Sequence, residues 1–466
     1  MRPFLSHPEI NPKTGRLLYA WLLSSILSLV FAGIFAVLVA LARTPIIQDL
    51  LPGKDYFYIA LVGHVILAVV IWFLAFEGVL WVFTSTTVLG VEPFSVRLGW
   101  ISFWFSSIGT IFLVVPALFG WGEPVLANYV PLLTHPIFYT GLLLFAVGVA
   151  ILIIHTFFII WKARNEPLPV ITFGMVLAGV TVLIAFLCFG LAYYFLAMDS
   201  PEGINMEYLF WGGGHILQFS NTIGMVVAWI MLTQLTLRDF PISERITKVL
   251  LVIYLLFVIP APFLYFVYDA TYKDGFTRLM QFGLGPSTGI IALAIIAGFR
   301  VQGSGFRDIP WADPRFSSLV MSIVIFALGG LISLTIDESN VKIPAHYHGV
   351  IGAVTIAFMG MTYYILPVVG REVYSQRLAR IQPYLYGLGI ILFSLGLFWA
   401  GTHGVARKVY GSAQNLDNIQ KLLGMGIMGF GGLIAILGGA SFVINALVTL
   451  LNRVQGVKGS KSRVQV

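Results

Sequence analysis

Apolar runs of about 20 residues, the length that crosses the hydrocarbon core of a bilayer, recur from one end of this 466-residue chain to the other. Inside lipid no water can satisfy exposed backbone groups, so runs of that length fold as helices. Composition agrees: 58% of the residues are hydrophobic, 10% are charged and the mean hydropathy is +0.92, which leaves too little polar surface for a soluble domain. The chain therefore reads as an all-α polytopic membrane protein with about twelve transmembrane helices, one domain over residues 1–466 surrounded by membrane lipid.

Twelve candidate spans run Leu17 to Leu41, Phe57 to Phe83, Trp100 to Phe119, Pro136 to Trp161, Pro169 to Leu196, Tyr208 to Leu232, Val249 to Tyr268, Gly285 to Phe299, Ser317 to Leu334, Pro344 to Val369, Tyr384 to Thr402 and Leu422 to Leu451. The first is preceded by Met1 to Arg16 and is long enough to span, so it reads as a helix and not as a cleaved leader. Nineteen of the 27 Lys and Arg fall on the side that carries both termini, and eight on the other. By the positive-inside rule both termini are cytoplasmic, in a multi-pass plasma-membrane protein. The net charge of +7 thus reports topology, not nucleic acid as a partner. The single cysteine, Cys188, lies in an apolar run, which excludes internal disulfides and thiolate clusters. A metal here would need histidine, carboxylate or a cofactor.

Eight histidines are present, and four fall at comparable depth near the outer starts of three even-numbered spans: His64, His215, His346 and His348. Ionisable side chains inside a span are costly unless they face a partner or a cofactor, so four at one level point to a shared site. In Ala345-His346-Tyr347-His348 the two imidazoles sit two residues apart, rotated by about 200° on a helix. They cannot share one metal, but they can serve two centres on opposite sides of the tenth span. Imidazole is a usual axial ligand of haem iron, and His64 has the depth to complete one of those centres.

These residues resemble the haem-copper oxidases and nitric oxide reductases, whose large subunit, subunit I, has twelve helices and a His-x-His on the tenth. The resemblance covers most of the chain. It implies that His346 binds a high-spin haem, and that His348 and His64 together bind a low-spin haem iron. Trp211-Gly212-Gly213-Gly214-His215 is similar to the family's sixth-helix segment, which makes His215 the candidate for a residual second-metal ligand. Arg407 and Lys408, beyond Ala400-Gly401, are similar to the paired cations that neutralise haem propionates near the outer face. Asp337 and Glu338 resemble residues that bind a structural cation there, although solvated loop charges fit them better.

The pattern breaks on the seventh helix, where the family carries adjacent histidines. Here the window reads Pro260-Ala261-Pro262-Phe263-Leu264-Tyr265-Phe266-Val267-Tyr268-Asp269, and no histidine occurs between His215 and His346. The nearest substitutes are Tyr265, Tyr268 and Asp269; a His215 and Asp269 pair would be weak for copper and conceivable for iron. Phe219 and Leu217 stand where many relatives have a tyrosine and an acid. Glu77 is a carboxylate inside the second span, either a proton relay or locked by a partner. His7, His135, His155 and His403 carry no ligand assignment.

The resemblance therefore implies a haem-binding subunit of a respiratory redox complex. It would carry electrons through a bis-histidine low-spin haem and a second, high-spin haem, both b-type, with the second metal lost and copper absent. Its partners would be other subunits and a cytochrome c-type or quinone-linked donor. The alternative is a catalytic oxygen or nitric oxide reductase with a rebuilt second metal site, so whether the chain is itself an enzyme stays open at this point.

Overall fold

The computed structural model describes residues 10–45, 47, 54–165, 167–199, 203–237, 240–301 and 309–452. Among the described residues twelve helices are long and apolar enough to cross a membrane: α1 (Pro12–Leu41), α2 (Tyr56–Val88), α3 (Val96–Phe119), α4 (Pro136–Lys162), α5 (Val170–Asp199), α6 (Met206–Thr236), α7 (Glu244–Val267), α8 (Asp274–Phe299), α9 (Pro314–Ser333), α10 (Lys342–Val368), α11 (Gln376–Thr402) and α12 (Ile419–Leu451). Side chains cap the exposed amides at many of the starts: Asn11, Ser95, His135, Asn205, Ser243, Asp313, Ser375 and Asn418 each accept from an N–H two or three residues on. The α3–α4 connection adds a two-residue antiparallel pairing, β1 (Pro124–Val125) with β2 (Leu132–Leu133).

Three helices form the centre. In their most apolar stretches α6 is 94% buried, α10 89% and α2 67%, whereas none of the other nine exceeds 50%. These are the helices that carry His215, His346 with His348, and His64. All three are even-numbered and run in the same direction, so His64, His215, His346 and His348, all within the first three turns, lie at similar depth. Helices consecutive in the chain pack most closely, α3 with α4, α5 with α6, α9 with α10 and α11 with α12, so that α5 and α9 lie directly against the centre. Small residues allow the last of these contacts: Gly424, Gly431 and Gly438, seven apart on α12, face Ala400, Phe393 and Tyr386 of α11, and a Cβ at any of them would run into backbone atoms. Without a hydrophobic drive between helices in lipid, such close backbone approach supplies the packing.

The structure extends or interrupts three spans. α8 begins at Asp274, not near Gly285, because Thr277, Arg278 and Gln281 belong to its polar outer turns and Pro286 is accommodated inside the helix. α2 continues to Val88 and contains two π-helical segments, Ile66–Ile71 and Phe83–Val88. α7 breaks after Val258 and resumes as Ala261–Val267, since Pro260 and Pro262 cannot donate to the preceding turn.

Candidate functional site

His64, His346 and His348 share one hydrogen-bonding arrangement. Nδ1 lies 3.1 Å from the Ala32 carbonyl on α1 for His64, 2.8 Å from the Gly329 carbonyl on α9 for His346, and 2.7 Å from the Pro344 carbonyl for His348. A carbonyl only accepts, so each Nδ1 carries the proton and donates it. Each Nε2 is then the lone-pair nitrogen, and no hydrogen-bond partner reaches it among the described residues. This is how a metal-ligating imidazole is ordinarily oriented, by its far nitrogen. Close helix approach makes it possible: a Cβ on Gly63 would meet the Phe35 ring, and one on Gly329 would meet the α10 backbone at His346 and Val350. His348 packs on Phe393 of α11, with ring centroids 4.6 Å apart, and lies within electrostatic reach of His64 and Arg43. His346 turns instead toward α9.

His215 is held differently. It donates Nδ1–H to the Trp211 carbonyl at 2.7 Å, so Nε2 accepts, and it accepts from the Tyr129 hydroxyl at 2.9 Å with Thr277 Oγ1 at 3.4 Å. The three glycines before it explain the fit. A Cβ on Gly212 would collide with Tyr265 and Phe276, on Gly213 with Phe189, and on Gly214 with Tyr129. Tyr129 reaches its place from the α3–α4 loop with φ of 68°, a left-handed backbone that costs a bulky residue about 1–3 kcal/mol. Burial raises its phenol well above the ordinary range, so it stays a donor.

Around this pair a ring of contacts closes the end of the bundle that carries the start of α6. The Trp211 indole donates to the Lys273 carbonyl at 3.2 Å, and Lys273 Nζ lies 4.3 Å from the Trp211 ring centroid and donates to Glu207 at 3.1 Å. Glu207 also accepts from the Asn128 amide at 2.7 Å and from its side chain at 2.6 Å. Asn128 Oδ1 in turn accepts from Arg407 at 2.5 Å and from Lys408 at 3.0 Å. Lys408 also donates to the Leu126 carbonyl and is left-handed, with φ of 58°. Burial, reinforced by Arg407, pushes its ammonium down to about 8.

Arg43, just beyond α1, adds a further cation. Its guanidinium donates to the Ala406 carbonyl at 3.3 Å, its Nε is buried without a partner, and it acts electrostatically on Tyr347 and His348. Burial lowers it to about 10. Arg407 acts on Tyr347 as well. Three imidazoles presenting Nε2, beside arginines one of which has an unsatisfied N–H, fit an iron porphyrin and its carboxylates. The donor set is the right one for that group.

Asp269 is not brought to His215: it is exposed, and its carboxylate accepts from the Thr271 amide at 2.8 Å. Tyr268 is exposed too, and Tyr265 is buried beside Gly212. Among the described residues no group of three or more His, Cys, Asp or Glu is arranged to hold a metal ion. Asp337 pairs with Lys342 at 2.7 Å, which holds its carboxyl below the usual range. His135 caps α4, His155 accepts from the Ser95 amide at 3.1 Å, and His403 bonds the Trp399 carbonyl at 2.8 Å. His7 lies outside the described residues. Sequence reasoning missed Tyr129, Asn128, Glu207, Lys273 and Arg43. The acid and the cations among them were visible as charges in outer loops; nothing in the sequence near Tyr129 signals its backbone conformation.

A family model described as "Cytochrome C and Quinol oxidase polypeptide I" matches residues 16–440. A protein of Rickettsia prowazekii, described as uncharacterized, is 30% identical and covers 94% of this chain and 96% of its own length. Cytochrome c oxidase subunit 1 of Thermus thermophilus is 26% identical over 86% of this chain and 78% of its own. Among solved structures, a haem-copper terminal oxidase superposes with a TM-score of 0.81 at 18% identity, covering 95% of this chain and 85% of that one, a likeness of fold.

Proposed function

The chain belongs to the cytochrome c and quinol oxidase polypeptide I family, a haem-binding family, and from that membership we propose that it is a haem-carrying electron-transfer subunit of a respiratory complex. In this reading residues 1–466 form one haem-binding domain. His64 and His348 bind a low-spin haem through Nε2, and His346 binds a second, high-spin haem. Haem supplies a one-electron redox change when bound. Arg407, Lys408 and Arg43 balance the anionic edge of such a group, and the Nδ1 bonds to Ala32, Pro344 and Gly329 hold the imidazoles in orientation. Both haems are read as b-type, with a cytochrome c-type or quinone-linked donor and other subunits as partners. The termini are assigned to the cytoplasmic side of the plasma membrane and the haem level to the outer side.

The loss of the second metal rests on one observation: the Nε2 of His215, the atom that would ligate it, is engaged by Tyr129 and Thr277. The histidine serves as a hydrogen-bond acceptor, and among the described residues no group of three or more His, Cys, Asp or Glu includes it. The catalytic reading, reduction of oxygen or nitric oxide, keeps one observation on its side, the free Nε2 of His346, since a single imidazole leaves one face of an iron open. Haem and metal quantitation with carbon monoxide difference spectra separates the two. Two haems and no copper or additional iron are expected, with carbon monoxide taken up by the His346 haem alone. A third metal with a carbon monoxide-reactive haem would establish the catalytic reading instead, and a protein without haem would overturn both.

A further inference from the structure

We propose that Glu77 on α2 is a proton-exchanging site: a carboxyl kept neutral between α2 and α6, opening toward the face that carries the start of α1 through a file of buried hydroxyls. Glu77 is fully buried, and one oxygen, Oε2, lies 2.6 Å from the Ser220 hydroxyl of α6. The other, Oε1, has no partner. Ser220 and Gly224 of α6, Ala178 of α5 and Phe358 of α10 face this region, and none of them ionises. None of the five ion pairs among the described residues includes Glu77. A bare carboxylate with one bond and no cation is expensive in such surroundings.

Proton counting points the same way. Ser220 Oγ lies near two oxygens, Glu77 Oε2 and the Ala178 carbonyl at 3.3 Å, and a hydroxyl has one proton to donate. If Glu77 is ionised, Ser220 can serve only one of them. If Glu77 is protonated, its O–H donates to Ser220 Oγ and Ser220 donates to Ala178, so every polar hydrogen is used. Loss of the proton breaks the Glu77 O–H bond and turns the Ser220 donor back toward the carboxylate. Nothing is oxidised or reduced.

The route follows α2. Thr84 and Ser85 lie two turns further along, about 12 Å from Glu77, where the helix is π-wound over Phe83–Val88. Their hydroxyls are buried without partners, as is that of Thr14 on α1. Thr14, Ser85, Thr86 and His155 line one narrow cleft that ends at exposed Lys13. His155 accepts a backbone hydrogen bond there. Water bound among these unpartnered hydroxyls would complete the path, including the two turns between Ser85 and Glu77.

The test is infrared spectroscopy of the purified, detergent-solubilised protein near neutral pH. A C=O stretching band of a protonated carboxyl is expected; it should vanish in Glu77→Gln and shift in Ser220→Ala, which keeps the carboxyl but removes its partner. Transfer to D2O should move the band, several-fold more slowly in a Thr84→Val, Ser85→Ala double variant. A Glu77→Gln spectrum identical to wild type in this region would overturn the neutral carboxyl. If Glu77→Gln does not fold, an unshifted band in Ser220→Ala does the same. An unchanged exchange rate in the double variant would overturn the route.

Discussion

The three histidines with free Nε2 are expected to behave unequally when removed. His64→Ala and His348→Ala each leave an iron with one imidazole where two are read, so each should abolish the low-spin haem spectrum and leave high-spin haem in place. Optical and electron paramagnetic resonance spectra of the purified variants check this, and a full low-spin signal in both would sink the pairing. Lys408 gives a pH dependence with a definite sign. In the haem-free protein burial brings the ammonium to lose its proton near pH 8 instead of near 10.5. Haem carboxylates favour the charged form, so above pH 8 binding must take up a proton and haem affinity should fall as pH rises toward 10.5. For folding alone the unfolded chain binds more protons across this window, so Lys408 makes the haem-free protein more stable with rising pH. Haem titrations between pH 7 and 10, wild type against Lys408→Gln, separate the two effects; the variant should lose most of the slope.

At the scale of the helix, small residues decide how near two backbones come. Gly431 of α12 touches the backbone of Leu392 and Phe393, so Gly431→Leu should overpack the α11–α12 contact at a cost of about 1–3 kcal/mol, read as a lower thermal midpoint. Apolar runs made the twelve helices legible, and the depth of His64, His215, His346 and His348 made their common level legible, because both depend on local spacing. What lay beyond the sequence came from contacts distant along the chain. Tyr129 meets His215 across 86 residues, and Lys408 meets Asn128 across 280. No local pattern announces a left-handed tyrosine, or a π-helical turn that lengthens α2. The polar first turns of α8 looked like a loop because hydropathy averages hide a helix whose outer end sits in the headgroup region.

For the molecule as a whole the central prediction concerns sidedness. Cys188 is buried and is the lone cysteine, so added cysteines at exposed positions report cleanly. Glu123→Cys, between α3 and α4, should react with a membrane-impermeant thiol reagent in intact cells, and Arg97→Cys, at the start of α3, only after permeabilisation. The reverse pattern would invert the assigned orientation. His64, His215, His346 and His348 lie in the three most buried helices, and the other nine form a sleeve around them.

The ring that joins Asn128, Glu207, Lys273, Arg407 and Lys408 also has a history in time. Asn128 leaves the ribosome first, and Lys408 follows 280 residues later. The ring is therefore completed only when the loop between α11 and α12 has been synthesised.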